Sequence, residues 1–229
     1  WDGAEPLDIL ATCCSASGCF ASAIDECPIE PARIEPSQLG YPKVVFDRLE
    51  TGQVRVLLSA RGTHWANFAY QFAHEFCHLL ANVSRADPAF DPTAWIEEAL
   101  CETASLFALR SMARTWVHDA PYPNWRDYAS NLQEYAEMEM REPGHCLPAG
   151  TSLPAWLATR LQLLKRDEYR RADNAVVASC LLPIFEANPD AWRAVRYLNR
   201  WEPVPFASHF DKWREATPSS HHEAIRQIE

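Results

Sequence analysis

Apolar residues recur every three or four positions from Trp65 to Val83, which is the spacing of one face of an α-helix. The stripe consists of Trp65, Phe68, Phe72, Phe76, Leu79 and Val83. At about 100° per residue, His74 and His78 project from roughly the opposite side. The pattern therefore predicts a helix that packs through its apolar stripe and leaves both histidines available for other contacts.

Two β-rich runs precede this helix. KVVFDRL begins at Lys43, QVRVLLSA ends at Ala60, and the short sequence ETG separates them. Branched and aromatic residues on both sides of a Gly-containing turn predict a β-hairpin. The opening residues 1–40 hold four cysteines and regularly spaced prolines, and they predict an irregular segment that wraps the domain.

The sequence after Val83 predicts a mainly helical second half. Asp91 and Pro92 offer an N-cap and a first-turn proline for a helix that runs to about Arg114. VHDAPYPNW predicts a loop. Further helices are predicted over 125–141, 152–166, 168–188 with a kink at Pro183, 189–200 and 206–216.

These elements predict an α+β protein with a small N-terminal β-sheet lobe and a mainly helical C-terminal lobe. We expect a Cys/Pro-rich segment over 1–40, a lobe with strands and two helices over 41–118, and a helical lobe over 119–229 that completes a cleft. The 229 residues and 48% hydrophobic content suffice for a sizeable core.

Charge and cysteine content narrow the function. A net charge of −10 opposes binding to nucleic acid or to an anionic membrane. No apolar run approaches the roughly 20 residues of a transmembrane helix. Eight cysteines favour an oxidising compartment, secreted or periplasmic, with disulfides. The alternative is free buried thiols. Cys77 and Cys101 could form a disulfide with each other or fill the core, and the core is favoured.

The chemistry centres on HEFCH, residues His74 to His78. Two histidines four apart on a helix can bind one zinc ion, and Glu75 between them projects beside the ion, where it can act as a base. Such a site takes three protein ligands and leaves a fourth position open. The alternative is a chance pattern of two surface histidines.

Carboxylates follow on the next predicted helix. Glu98 lies twenty residues after His78, and Glu102 lies one turn further on the same face. One carboxylate can bind the metal while the other hydrogen-bonds the far nitrogen of a ligand imidazole. Glu97 points about 100° away and is the rival candidate for the third ligand.

These residues resemble the gluzincin zinc metallopeptidases, which carry HExxH on one helix and a glutamate ligand about twenty residues later. WIEEALCE resembles the Trp-x-x-Glu pattern around that third ligand. The resemblance covers about residues 43–112 and implies a zincin-like fold, Zn²⁺ bound by His74, His78 and Glu98, and Glu102 as the acid that orients a ligand histidine. The metzincin extension is missing, because Ala81 and Ser84 replace its glycine and third histidine, and the Gly-x-Met-Glu-Asn stretch of aminopeptidases is also missing.

The resulting prediction is a zinc-dependent peptidase in which Glu75 is the general base and the substrate is a peptide or protein. The resemblance further implies that the strand before the active helix, VRVLLSA, is an edge that pairs with an extended substrate. An ordinary half-buried strand is the alternative. The main alternative function is a non-catalytic zinc module that binds a peptide or protein. A helical-lobe residue is expected to stabilise the transition state, and the candidates are Tyr169, Arg170, Arg171 and Asn174.

Overall fold

The computed structural model describes residues 1–26, 29–81 and 91–229. These residues form a mixed structure that is mostly helical and contains one small sheet, so the predicted α+β class is confirmed at this coarse level. The helices are α1 (Pro6–Gly18), α2 (Ala21–Glu26), α3 (Trp65–Leu80), α4 (Ala94–Asp119), α5 (Ala129–Arg141), α6 (Leu153–Leu164), α7 (Arg171–Ala187), α8 (Trp192–Val195), α9 (Phe206–Ala216) and α10 (His222–Ile228), with short 3-10 helices at Pro123–Tyr128, Pro189–Ala191 and Ser219–His221.

The sheet has three strands, β1 (Ala32–Pro36), β2 (Lys43–Val45) and β3 (Val54–Leu58), in the order β1-β3-β2. β2 and β3 are antiparallel, with Val44 opposite Val56, so the predicted hairpin is confirmed. β1 pairs in parallel with the other side of β3. The prediction that VRVLLSA is an edge strand is therefore wrong, because β3 is bonded on both sides and β2 is the edge next to α3.

The prediction of an irregular opening segment is also wrong. Residues 1–40 contain α1, α2 and β1. Prolines are compatible with these elements because Pro6 occupies the first turn of α1 and Pro36 ends an edge strand, where a missing N–H costs little. The segment also reaches the core, since the Phe20 ring lies 5.7 Å from that of Phe76 and 4.9 Å from that of Trp192.

Helix α3 matches its prediction from Trp65 to Leu80, and the predicted end at Val83 lies outside the described residues. It is buried on nearly every side, against the sheet, α1, α4 and α5. The histidines are therefore not on an open face: the His74 and His78 side chains are only 20% and 17% exposed, and α4 covers them.

Helix α4 starts later and ends later than predicted. Its N-cap is Thr93, and Asp91 stands before the helix, where its carboxylate accepts hydrogen bonds from the Thr93 backbone and hydroxyl. The helix continues to Asp119 because Trp116 is still fully buried in its last turns. The first three residues of the predicted loop VHDAPYPNW therefore belong to α4.

The C-terminal helices follow the prediction, with changes at their ends. α5, α6, α7 and α9 correspond to predicted helices, and Pro183 lies inside α7. The helix predicted over 189–200 is wrong in form: a 3-10 turn and the four-residue α8 are followed by turns that lead to Asn199, whose φ is +61°. α10 has no counterpart in the prediction.

The seven cysteines in the described part of the chain are free, so the predicted disulfides are wrong for these residues. Cys77 and Cys101 are fully buried thiols, as expected of core residues. None of the helices among the described residues combines the length and apolar character that a membrane crossing requires.

Two side chains fix α3 in place, one near the middle of the helix and one at its C-terminal end. The Gln71 carbonyl accepts the backbone N–H groups of Ser59 and Ala60, at 2.8 and 3.0 Å, where β3 ends. At the C-terminal end of α3, buried Arg196 donates to the carbonyls of Leu79 and Leu80, at 3.2 and 2.9 Å. A cation suits this end because the last carbonyls of a helix have no partner within it and carry partial negative charge.

We expect Gln71→Ala to lower the free energy of unfolding by about 1–3 kcal/mol, because two partly buried N–H groups lose their acceptor. Urea unfolding followed by circular dichroism measures this. Gln133→Ala is the matched control, since Gln133 bonds with Glu137 in the same helix, and it should change stability by less than about 0.5 kcal/mol. Equal stability of Gln71→Ala and the wild type would show that Gln71 does not anchor the sheet.

Candidate metal centre

The two histidines of HEFCH converge on one carboxylate of α4. His74 and His78 lie one turn apart on α3, with ring centroids separated by 5.2 Å. The Nε2 atom of His74 lies 3.3 Å from Glu98 Oε2, and that of His78 lies 3.7 Å from Glu98 Oε1. The three predicted ligands therefore meet, with both imidazoles presenting the same nitrogen.

The other nitrogen of each imidazole faces a second carboxylate. His78 Nδ1 is 2.6 Å from Glu97 Oε1, and His74 Nδ1 is 3.6 Å from Glu102 Oε2. Histidines that bind metals almost always use their second ring nitrogen in this way, which fixes the ring and its tautomer. Glu97, the rival for the third ligand, thus lies behind His78, and Glu102 lies behind His74 as expected.

These two outer carboxylates are held in turn by residues that sequence reasoning did not connect with the site. The Tyr70 hydroxyl donates to Glu102 Oε1, and Asn199 Nδ2 donates to Glu97 Oε2. Tyr70 lies one turn before His74, so helical spacing could have indicated it. Asn199 follows α8 in a left-handed conformation that asparagine tolerates, and no spacing links it to α3.

Glu75 lies on the sheet side of α3. It is buried, and its Oε2 accepts the backbone N–H of Val44 in β2 at 2.7 Å. This N–H points away from β3, so Glu75 joins the active helix to the edge of the sheet. The bond engages one carboxylate oxygen and fixes the orientation of the other.

Cys101 offers a second donor set. The ligand atoms of His74, His78 and Cys101 all lie within 4.8 Å of one another. Burial raises the pKa of the Cys101 thiol well above its usual value, which disfavours the thiolate that binds metals. The pKa of Glu98 is lowered, because the neighbouring His78 and His74 outweigh the effect of burial. We therefore prefer Glu98 to Cys101 as the third donor.

Without a metal, the site carries its positive charge as protons. Burial lowers the pKa of both imidazoles, but the surrounding carboxylates outweigh it. Glu102 and Glu98 raise the pKa of His74 well above 6.5, and Glu98 and Glu97 raise that of His78 to about 9. A divalent cation held by His74, His78 and Glu98 would replace this positive charge, so the residues present fit a metal ion.

The predicted transition-state donors show no contact with His74, His78 or Glu98 among the interactions of the described residues. Tyr169 is 73% exposed, Arg170 pairs with Asp173, and Asn174 donates to the Glu168 carbonyl. Arg171 is the member of this group that contacts the site's supporting residues, since its guanidinium lies 3.4 Å from the Tyr70 hydroxyl.

Comparison of the chain with profiles of protein families, with curated proteins and with solved structures gave no match. The resemblance to gluzincins therefore rests on residues of this chain alone, namely HEFCH, Glu98 and Glu102.

We expect the zinc affinity to rise with pH between about pH 6 and pH 8, by roughly 10- to 100-fold per pH unit, because zinc displaces protons from His74 and His78. The sign follows from the raised pKa of His78, about 9, below which the ring is protonated in the metal-free protein. Competition with a chromogenic chelator measures the affinity.

His64→Ala, which removes an exposed histidine from the start of α3, is the control and should keep the same pH slope. An affinity that does not change over this pH range would contradict the proton-filled site.

Glu98→Gln and Glu97→Gln distinguish the two candidate third ligands. Loss of a ligand at Glu98 should weaken zinc binding by more than about 100-fold, whereas loss of the partner of His78 at Glu97 should weaken it by about 10- to 100-fold. Isothermal titration with zinc measures both variants. If Glu97→Gln has the larger effect, Glu97 is the ligand and Glu98 is its support.

Proposed function

We propose that this chain is a zinc-dependent metallopeptidase of the gluzincin type, with His74, His78 and Glu98 as ligands and Glu75 as general base. The observation that carries the proposal is the convergence of both Nε2 atoms on Glu98, next to a buried glutamate on the same helix. Two imidazoles and one carboxylate leave a coordination position open, which a catalytic zinc site requires.

His74, His78 and Glu98 would hold the zinc ion, which would supply a bound water with a pKa of about 7 and polarise the scissile carbonyl. Glu75 accepts the proton of the attacking water and passes it to the leaving amine. The Val44 N–H is bound to Oε2 of Glu75, which leaves Oε1 to take part in the proton transfer. Glu98 would act only as a negatively charged ligand of the ion and would take no part in proton transfer.

The sheet supports a zincin-like arrangement in which β2, and not β3, meets the substrate. β2 is the antiparallel edge strand, and Glu75 contacts it directly. In an antiparallel pair the backbone N–H and C=O groups of alternate residues point away from the partner strand. The Val44 N–H does so in β2, and those of positions 42 and 46, which flank β2, would do so if a bound peptide extended the strand. Pro42 has no N–H and the Val44 N–H is engaged by Glu75, so an added peptide strand would form a short ladder centred on Phe46.

One observation favours the second candidate, a zinc module without catalytic activity. Cys101 lies within reach of both histidines, and four protein donors would close the tetrahedron as in structural zinc sites.

The donor set also bears on the identity of the metal, because two imidazoles and a carboxylate are the donors of non-haem iron oxygenases. Metal analysis of protein purified without added metal is therefore the first experiment, and iron in place of zinc would contradict the peptidase.

We expect Glu75→Gln to retain zinc and to lose peptide hydrolysis by about 10²-fold or more, because the amide cannot accept a proton. Cleavage of a peptide library by wild type and variant, at matched zinc content, measures this. Glutamine can still accept the Val44 N–H, so the fold should be kept. Undiminished hydrolysis by Glu75→Gln would rule out the proposed mechanism.

Cys101→Ala separates the two candidate functions. In the peptidase it should leave zinc affinity and hydrolysis within about threefold of wild type, because Cys101 fills core beside Cys77. In a structural site it removes a ligand, so zinc would be lost. Loss of zinc in this variant, together with a wild type that cleaves no peptide, would establish the structural module instead.

A further inference from the structure

The Tyr70 hydroxyl lies behind the predicted metal ligand His74. Tyr70 precedes His74 by one turn of α3, is 4% exposed, and packs its ring edge-on against Tyr135 at 5.7 Å. Its hydroxyl does not face the Nε2 side of the site. It meets Glu102 of α4 instead, whose side chain is 5% exposed.

Hydrogen-bond chemistry fixes the direction of this contact. The Arg171 guanidinium lies 3.4 Å from the Tyr70 oxygen, and a guanidinium can only donate. The Tyr70 oxygen therefore accepts from Arg171 and gives its own proton to Glu102 Oε1. A charged carboxylate has no proton to give in return, so both of its oxygens are acceptors.

The same direction continues to His74. Glu102 Oε2 can only accept and lies 3.6 Å from His74 Nδ1, so the negative charge of this carboxylate favours the proton on Nδ1. The Nε2 atom, 3.3 Å from Glu98, is then the nitrogen whose proton a metal would displace, so that its lone pair could bind the ion. This series of contacts thus selects the His74 tautomer that a metal requires; it runs from Arg171 through Tyr70 and Glu102 to His74.

We propose that Tyr70 is a positioning residue for the metal centre, acting through Glu102 to fix the orientation and tautomer of His74. This rests on the metal site of the proposed function and does not depend on which reaction the metal serves. Without the Tyr70 hydroxyl, Glu102 Oε1 is buried without a donor, which costs free energy and lets the carboxylate turn away from His74.

The experiment is a double-mutant cycle on zinc affinity with Tyr70→Phe, Glu102→Ala and the double variant. We expect about a 10-fold loss for Tyr70→Phe and a 10- to 100-fold loss for Glu102→Ala, the range found when outer partners of metal ligands are removed. The double variant should bind zinc within about threefold of Glu102→Ala, because Tyr70 acts through Glu102.

Tyr128→Phe is the matched control. The Tyr128 hydroxyl accepts the Ala66 N–H in the first turn of α3, so its removal perturbs the same helix without contacting a ligand or its carboxylate. Zinc affinity should stay within about twofold of wild type, although thermal stability falls. A purely structural Tyr70 would behave like Tyr128, with lower stability and unchanged affinity.

Wild-type affinity in Tyr70→Phe, or losses that add in the double variant, would overturn the inference. If Tyr70→Phe does not fold, Arg171→Met tests the same series of hydrogen bonds at its exposed end. It removes the donor that orients the Tyr70 hydroxyl, and unchanged zinc affinity would then be the contrary result. A wild type that binds zinc but cleaves no peptide removes the peptidase proposal and leaves this cycle intact. A wild type that binds no zinc overturns both.

Discussion

The contact between α3 and α4 is the constraint on which the site depends. It sets two imidazoles of α3 against three carboxylates of α4, Glu97, Glu98 and Glu102, in a region largely closed to water. Carboxylates buried side by side are costly unless cations or donors neutralise them. The two helices can pack in this way only if positive charge stands at the histidines, either as protons or as a metal ion.

The supporting residues follow from the same constraint. Each outer carboxylate has one oxygen on an imidazole and the other on a neutral donor, Tyr70 for Glu102 and Asn199 for Glu97. Neutral donors satisfy these oxygens without adding a further charge beside the histidines. They also extend the site across the fold, because Asn199 belongs to the turn after α8, and Arg196 in that turn holds the end of α3.

The sequence predicted what depends on local spacing. The period of apolar residues predicted the start of α3 at Trp65 and its course to Leu80, and the spacing of His74, His78, Glu98 and Glu102 predicted four side chains that do meet. It did not predict how α4 rotates against α3. Glu97 and Glu98 therefore could not be distinguished, and in the structure they contact opposite nitrogens of the same imidazole, His78.

Non-local pairing was the other part that the sequence did not predict. β1 pairs with β3 through residues some twenty positions apart, and the prolines around β1 gave the appearance of a loop. That pairing makes β3 central and leaves β2 as the edge beside α3. This matters for the site because the N–H of Val44, in the edge strand β2, is the hydrogen-bond donor to Glu75. A peptide that accepted the Val44 N–H would displace Glu75 from this hydrogen bond. A peptide that paired only around Phe46 would leave Glu75 in place. In the proposed peptidase an oriented base would transfer protons more effectively, so this geometry would favour substrates that contact the edge beyond Val44.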